Sequence, residues 1–376
     1  MKFRVERDVL AEAVAWAARS LPARPPVPVL AGLMLDASGG RLMLSSFDYE
    51  VSARVEIAAD VAEPGVALVS GRLLADISRS LPAKPVELTT DAAKVVVTCG
   101  SSRFTLLTLP VEDYPALPEM PGASGSLHGD LFAAAVAQVS VAAGRDDTLP
   151  VLTGVRVEIE GERITMAATD RYRLAVRELS WTPEQSGLSA IALVPARTLS
   201  DTAKALAAAD KVTLALAGAT GGDGLVGFEG GGRRTTSRLL DGEFPKYKSL
   251  LPSESASVAT VDTASLVESV RRVALVAERN TPIRLSFGAG ELTLEAGTGD
   301  EAQASESLGA ALDGDDISIA FNPAYLLDGL GAVDAAHVEL RFTASTRPAV
   351  LAGKDSADST AGDDYRYLLM PVRLSG

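Results

Sequence analysis

The residues able to do chemistry in this chain are few and scattered. The two histidines, His128 and His337, lie far apart, and neither has a cysteine or second histidine at ligand spacing, so no zinc or other metal site is expected. The single cysteine, Cys99, ends the apolar run VVVTC and reads as a small core residue; one thiol cannot form an intrachain disulfide. The glycine-rich run GATGGDGLVGFEGGG at 218–232 lacks the terminal Gly-Lys-Ser/Thr of a phosphate loop and opens no helix, so it reads as a hairpin tip. Asp146-Asp147 and Asp315-Asp316 could in principle hold Mg²⁺, but adjacent carboxylates on loops ordinarily stay solvated. No Gly-x-Ser-x-Gly elbow is present. The expectation is a protein with no catalytic residues, no cofactor and no metal. A competing reading is a repeat-built enzyme with its site between domains. It would need a polar constellation recurring at matching edges, and only Asp48, Asp170 and Asp300 recur, which turn capping explains more simply.

Those aspartates mark a repeat. In LPVLTGVRVEIEGERITMAATDRYRLAVREL, from Leu149 to Leu179, Val155, Val157 and Ile159 alternate with Arg156, Glu158 and Glu160, the period of a half-buried strand. Gly161-Glu162 turns the chain, Ile164, Met166 and Ala168 lead to the corner Thr169-Asp170-Arg171-Tyr172, and Leu174 and Val176 begin a third strand. An earlier copy runs from Leu33 to the corner Ser46-Phe47-Asp48-Tyr49 and VSARVEI. Its aspartate lies 122 positions before Asp170 (170 − 48), and Gly299-Asp300 marks a later copy 130 beyond (300 − 170). Helices are predicted over Glu6–Ser20, Gly129–Ala143 and Thr263–Glu278 at the start of each copy, and within GRLLADISRSL, ARTLSDTAKAL and NPAYLLDGL after each strand set. Asn322-Pro323 is a strong helix entry. The small, polar stretches PGASGSLHG (121–129) and SESASVATVD (253–262) read as linkers, and KDSADSTAGDD (354–364) as a second hairpin tip. Three domains are expected, at 1–121, 127–252 and 257–376.

Composition agrees with a folded soluble protein: of 376 residues, 47% are hydrophobic and 22% charged. No apolar run approaches the roughly 20 residues that span a bilayer. The opening MKFRVERDVLAEAV carries acidic residues and helical spacing where a signal peptide would carry an apolar core, so a cytoplasmic protein with no membrane partner is expected. A net charge of −14 argues against coating nucleic acid with the whole surface, yet leaves room for a local basic lining.

The tripled repeat, the phrases TLPVEDYP and FPKY closing its first two copies, ATDRYRLAV in the middle and the C-terminal MPVRL together resemble the bacterial β sliding clamp, the processivity subunit of DNA polymerase III. The resemblance covers the whole chain, and its Ala- and Gly-rich character is similar to the actinobacterial branch. It implies an α+β fold of three repeated clamp domains, each with two helices and antiparallel sheets, paired head to tail as a homodimeric ring around duplex DNA. The helices would line the hole without reading sequence, bringing Arg7, Arg19, Arg72, Arg79, Arg197, Lys204, Arg271, Arg272 and Arg279, with Arg24 and Lys84 in flanking loops.

The resemblance also implies a pocket for short linear motifs of the polymerase III α subunit, the clamp loader, other polymerases and repair proteins. Carried over by position, it comprises Leu152, Thr169, Arg171, Tyr172, Arg173, Leu174, Pro245, Leu250, Pro348, Val350, Leu368, Met370, Pro371, Val372 and Arg373. From the residues alone, Leu152, Leu174 and Met370 read as core. Arg171-Tyr172 stands where many clamps have Gly-His, and Ser249 where some have Arg. The implied subunit interface sets Phe104 and Leu106 against Leu275 and Val276. An alternative within the family is a duplicate clamp with a specialised role, such as tolerance of a pocket-directed antibiotic.

Overall fold

The computed structural model describes residues 1–217, 224–277, 281–288, 290–297 and 302–373. Asp300 and Arg279 lie outside the described residues. The chain folds as two compact units, residues 1–133 with 182–186 and 201–239, and residues 134–181 with 187–200 and 240–376. The physical reason is strand pairing between repeats. In the first unit Arg233–Arg238 pairs antiparallel with Val51–Ile57 inside a 14-stranded sheet, and in the second Tyr365–Leu369 pairs with Arg173–Ser180 inside a 9-stranded sheet. Each junction is therefore as continuously hydrogen-bonded as the interior of a repeat. A 4-stranded sheet, Ala304–Gly309, Glu291–Ala296, Ile283–Gly288 and Ile317–Phe321 in order, completes the second unit.

Six α-helices are formed among the described residues: α1 Arg7–Ala17, α2 Gly71–Ser80, α3 Gly129–Ser140, α4 Ala196–Leu206, α5 Thr263–Val273 and α6 Pro323–Ala332. In α1, Leu10, Ala13, Val14 and Ala17 recur at helical spacing and are buried, whereas Val9, off that stripe, is exposed. The Asn322 side chain accepts the Ala324 and Tyr325 amide protons at 2.9 and 3.3 Å, and Asp262 accepts that of Ser265 at 2.8 Å; these caps begin α6 and α5. Three helices end earlier than their periodicity predicts; α1 gives way after Ala17 to a 3₁₀ turn, Ala18–Ser20. The helix opening the second repeat stops at Ser140, and α5 gives way after Val273 to a 3₁₀ turn, Ala274–Val276.

The two stretches read as linkers are largely strand, Ala123–Leu127 and Ser257–Asp262. Their small residues hide the alternation: of the inward-facing Gly125, Leu127, Ser257, Ala259 and Val261, three lack the bulky apolar side chain that signals a strand. The glycine-rich run likewise contains the strand Leu225–Gly230, and its residues 218–223 lie outside the described ones. Lys2–Val5 is also a strand rather than a lead-in to the helix, with Phe3 and Val5 buried. Cys99 is 1% exposed, its thiol against the carbonyls of Pro82 and Lys84, as a small core residue should be. No helix among the described residues is long and apolar enough to cross a membrane.

Candidate functional site

The corner at Thr169–Arg173 is held by its own side chains. Asp170 Oδ1 accepts the amide protons of Tyr172 (3.0 Å) and Arg173 (3.1 Å), and the Thr169 hydroxyl donates to the Arg173 carbonyl at 2.6 Å. Arg171 sits left-handed at φ 79°. The first copy is built the same way: Asp48 Oδ1 accepts the amides of Glu50 and Val51 at 2.9 and 2.7 Å, and Tyr49 has φ 77°. The recurring aspartates that the structure describes thus cap turns.

Beyond the corner, strand alternation sends consecutive side chains to opposite faces. On one face Leu174 lies opposite Leu368, and Leu368 opposite Val350, giving an apolar row across three adjacent strands. The row is closed over by Phe244 and Tyr247 of the FPKY phrase, with Ala167, Val176 and Leu193. Lys248 Nζ pairs with Glu158 Oε2 at 2.7 Å and ties this segment to the sheet. Although burial opposes it, the bonds from Lys248 and Arg156 hold the Glu158 carboxyl below its ordinary range, while burial pushes the Tyr247 phenol up.

On the other face Arg173 is 4% exposed. Its guanidinium bonds Asp170 Oδ2 at 3.0 Å, Asp328 Oδ2 at 2.5 Å and the Tyr367 hydroxyl at 3.4 Å, and it lies 4.4 Å from the centre of the Tyr325 ring. The Tyr367 hydroxyl in turn donates to the Tyr325 carbonyl at 2.8 Å. Arg173 is therefore a fastener between the corner and α6. As a neighbour of Leu174 in the strand it points to the opposite face, toward α6.

Beside this fastener opens a cleft of about 660 Å³. Leu149, Leu152, Tyr172 and Tyr325 give it an apolar wall, with the two tyrosine rings stacked 6.2 Å apart, and Arg145, Arg171 and Asp146 stand among its polar lining. Of the residues expected in a pocket, Leu152, Arg171, Tyr172 and Arg173 line this cleft. Thr169, Leu174, Val350 and Leu368 are buried beneath the surface. Pro245, Pro348, Pro371 and Val372 are partly exposed, and Leu250, Met370 and Arg373 are exposed. Met370 donates its amide to the Tyr172 carbonyl at 2.9 Å, and Val372 to Ala320 at 2.8 Å, which fixes the C-terminal segment beside the corner. Tyr325, Asp328 and Arg145 were missed by the sequence reading. The signal for two of them was present: a helix starting at Pro323 carries Tyr325 and Asp328 on one face, three residues apart.

Of the basic residues expected to face DNA, Arg19, Arg24, Arg72, Arg79, Lys84, Arg197, Lys204, Arg271 and Arg272 are exposed, and Arg7 is half-buried. Several have intrachain partners. Arg72 donates to the Pro22 carbonyl at 3.0 Å, Arg79 lies 3.4 Å from Asp76, and Arg272 bonds Glu268 at 3.4 Å and Glu306 at 2.5 Å. The Arg272 and Ser269 bonds hold the Glu306 carboxyl down at about 2.

For the expected interface, the strand Ser102–Leu109 pairs along its length with Lys94–Cys99. On its other side only Thr108 and Leu109 are paired, so an open edge remains. Phe104 (38% exposed) and Leu107 (72%) stand out from this strand, but Leu106 is 2% exposed and belongs to the core beside Val95 and Val97. Leu106 is thus corrected from interface to core. Leu275, in the 3₁₀ turn after α5, is 84% exposed and Val276 half-buried.

Strand-and-helix units repeated along the chain, with an exposed basic set on the helices, define a repeat-built α+β class of protein. Models for the N-terminal, central and C-terminal domains of the DNA polymerase III beta subunit match residues 1–118, 126–246 and 248–373. The chain is 66% identical to the beta sliding clamp of Streptomyces coelicolor over the full length of both, and 50% identical to the beta sliding clamp homolog GriR of Streptomyces muensis, again over both chains. It is also similar to the sliding clamp of Pseudomonas aeruginosa solved bound to griselimycin, at 29% identity and TM-score 0.90, covering all of both chains. The chain belongs to the DNA polymerase III β-subunit family. It has that family's three clamp domains and is a DNA sliding clamp, a processivity factor for replication and not an enzyme.

Proposed function

We propose that this chain acts as a head-to-tail homodimer closed around duplex DNA, and that its cleft, next to the buried apolar row, receives short linear motifs of the replicative polymerase, the clamp loader and repair proteins. The observation that carries the pocket reading is the pairing of Leu174, Leu368 and Val350 under Phe244 and Tyr247, next to a cleft walled by Leu152, Tyr172 and Tyr325. Aliphatic floors with aromatic walls suit apolar anchors of an extended peptide. Exposed Leu250 and Met370 stand at the ends of segments that meet this region, and an unbranched thioether adapts to varied anchors. The exposed arginines and lysines on or beside α2, α4 and α5 support diffuse attraction to phosphates without base readout, which permits sliding. Three domains near 1–121, 127–252 and 257–376, action in the cytoplasm and opening by a loader that supplies its own nucleotide complete the reading. The 66% identity to the Streptomyces coelicolor beta sliding clamp over the full length of both supports a replicative role.

Fluorescence anisotropy with a labelled peptide carrying an apolar short linear motif of the replicative polymerase tests the pocket. Met370→Ala is expected to weaken binding at least several-fold while the dimer persists in light scattering. Unchanged affinity would remove the assignment.

A further inference from the structure

We propose that the cleft selects partner segments carrying an acidic side chain beside their apolar anchors, with Arg171 and Arg145 as the specificity-determining residues; this rests on reading the cleft as the peptide site. The charges lining it are balanced in number but unequal in commitment. Asp170 gives Oδ1 to two backbone amides and Oδ2 to Arg173, Asp328 is bonded by the same guanidinium, and Asp146 Oδ1 accepts from the amide and hydroxyl of Thr148 at 3.0 and 2.7 Å. Arg173 is consumed by those two carboxylates. Arg145 and Arg171, both exposed, make no side-chain hydrogen bond or ion pair with the described residues. Each presents a planar fork of donors that matches a carboxylate's two oxygens.

Backbone geometry adds weight to Arg171. The corner demands a left-handed residue, since φ is 79° here and 77° at Tyr49 in the first copy, and glycine meets that demand without strain. A long cationic side chain occupies this strained position and lines the cleft together with Arg145. Its charge is felt locally. After the Thr148 bonds, Arg171 adds to the lowering of the Asp146 carboxyl.

The test is a matched pair of fluorescent peptides with identical apolar anchors, one bearing Asp and one Asn beside them, titrated onto the intact dimer by anisotropy. The parent is expected to prefer the acidic peptide by about fivefold, the size two partly exposed ion pairs give, with the preference shrinking as salt rises. In Arg171→Gly plus Arg145→Gln the ratio is expected to fall to near one, with thermal melting no lower than the parent's. Arg171→Lys in the parent background should retain part of the preference. Equal affinity of the two peptides for the parent, or an undiminished ratio in the double variant, overturns the inference while leaving the pocket in place. Failure of both peptides to bind the parent overturns the pocket reading itself. Loss of DNA retention in the double variant with the peptide ratio intact would assign the two arginines to phosphate contact instead, and also overturns it.

Discussion

Around Arg173 three elements meet on one guanidinium: the corner through Asp170, α6 through Asp328 and Tyr325, and the C-terminal strand through Tyr367. Removing one side of a buried pair costs more than the pair contributes, because its partners are left uncompensated. Arg173→Ala is therefore expected to destabilise the chain by about 2–3 kcal/mol, below the full buried-pair value because Asp328 is 43% exposed. Urea denaturation checks it, and a change under about 0.5 kcal/mol, the range of ordinary surface substitutions, would contradict the fastener role. Glu158 gives a pH prediction. Its carboxyl is lowered from the usual 4.5, so its contribution is fully present above that value and disappears as pH falls through the lowered one. Glu158→Gln should therefore flatten the acid limb of a stability-versus-pH curve below pH 4.5 and leave the limb above it parallel to the parent's. Residue types alone could not separate these roles. The resemblance set the neighbours Leu174 and Arg173 in one pocket, and the parity of the strand shows that they do not share a face.

Among the elements, the two junctions between repeats are built alike and filled differently. In the second unit the row across the paired strands is Leu174, Leu368 and Val350; in the first it is Ser52, Thr236 and Gly227. There the Ser52 and Thr236 hydroxyls bond at 2.5 Å, and Met120 from the connecting segment packs onto Gly227, where an added Cβ would meet its Cγ at 3.0 Å. A polar floor with a methionine laid over it offers apolar anchors little to bury. Gly227→Val is expected to displace Met120 and cost about 1 kcal/mol by overpacking, measured by denaturation, without altering peptide affinity at the other junction. Helices and the alternating strands of each repeat were legible because their apolar residues are large and periodic. The strands Ala123–Leu127 and Ser257–Asp262 were not, because Gly125, Ser257 and Ala259 take three of their five inward positions and composition alone resembles a linker.

For the molecule as a whole, a net charge of −14 combined with exposed arginines and lysines on helices fits a ring that repels DNA outside and attracts it weakly within. Tight contact is unnecessary when closure does the holding. On the proposed reading the ring closes through the open edge of Ser102–Leu109 and the exposed turn after α5, so Leu275→Asp is expected to shift the dimer toward monomer in light scattering with little change in melting. Leu106→Asp, a charge placed in the core, is expected to unfold the chain instead. If Leu275→Asp leaves the dimer intact at micromolar concentration, that turn is not part of the interface.

A closed ring is retained on DNA by topology and not by affinity. To separate the two, the labelled protein is loaded with a clamp loader onto a nicked circular duplex, the loader is removed with a high-salt wash, and the bound fraction is followed before and after a single cut linearises the circle. Retention on the circle at high salt, with rapid loss once free ends exist, is the expected result. Equal dissociation from circle and linear duplex, set by salt alone, would contradict it.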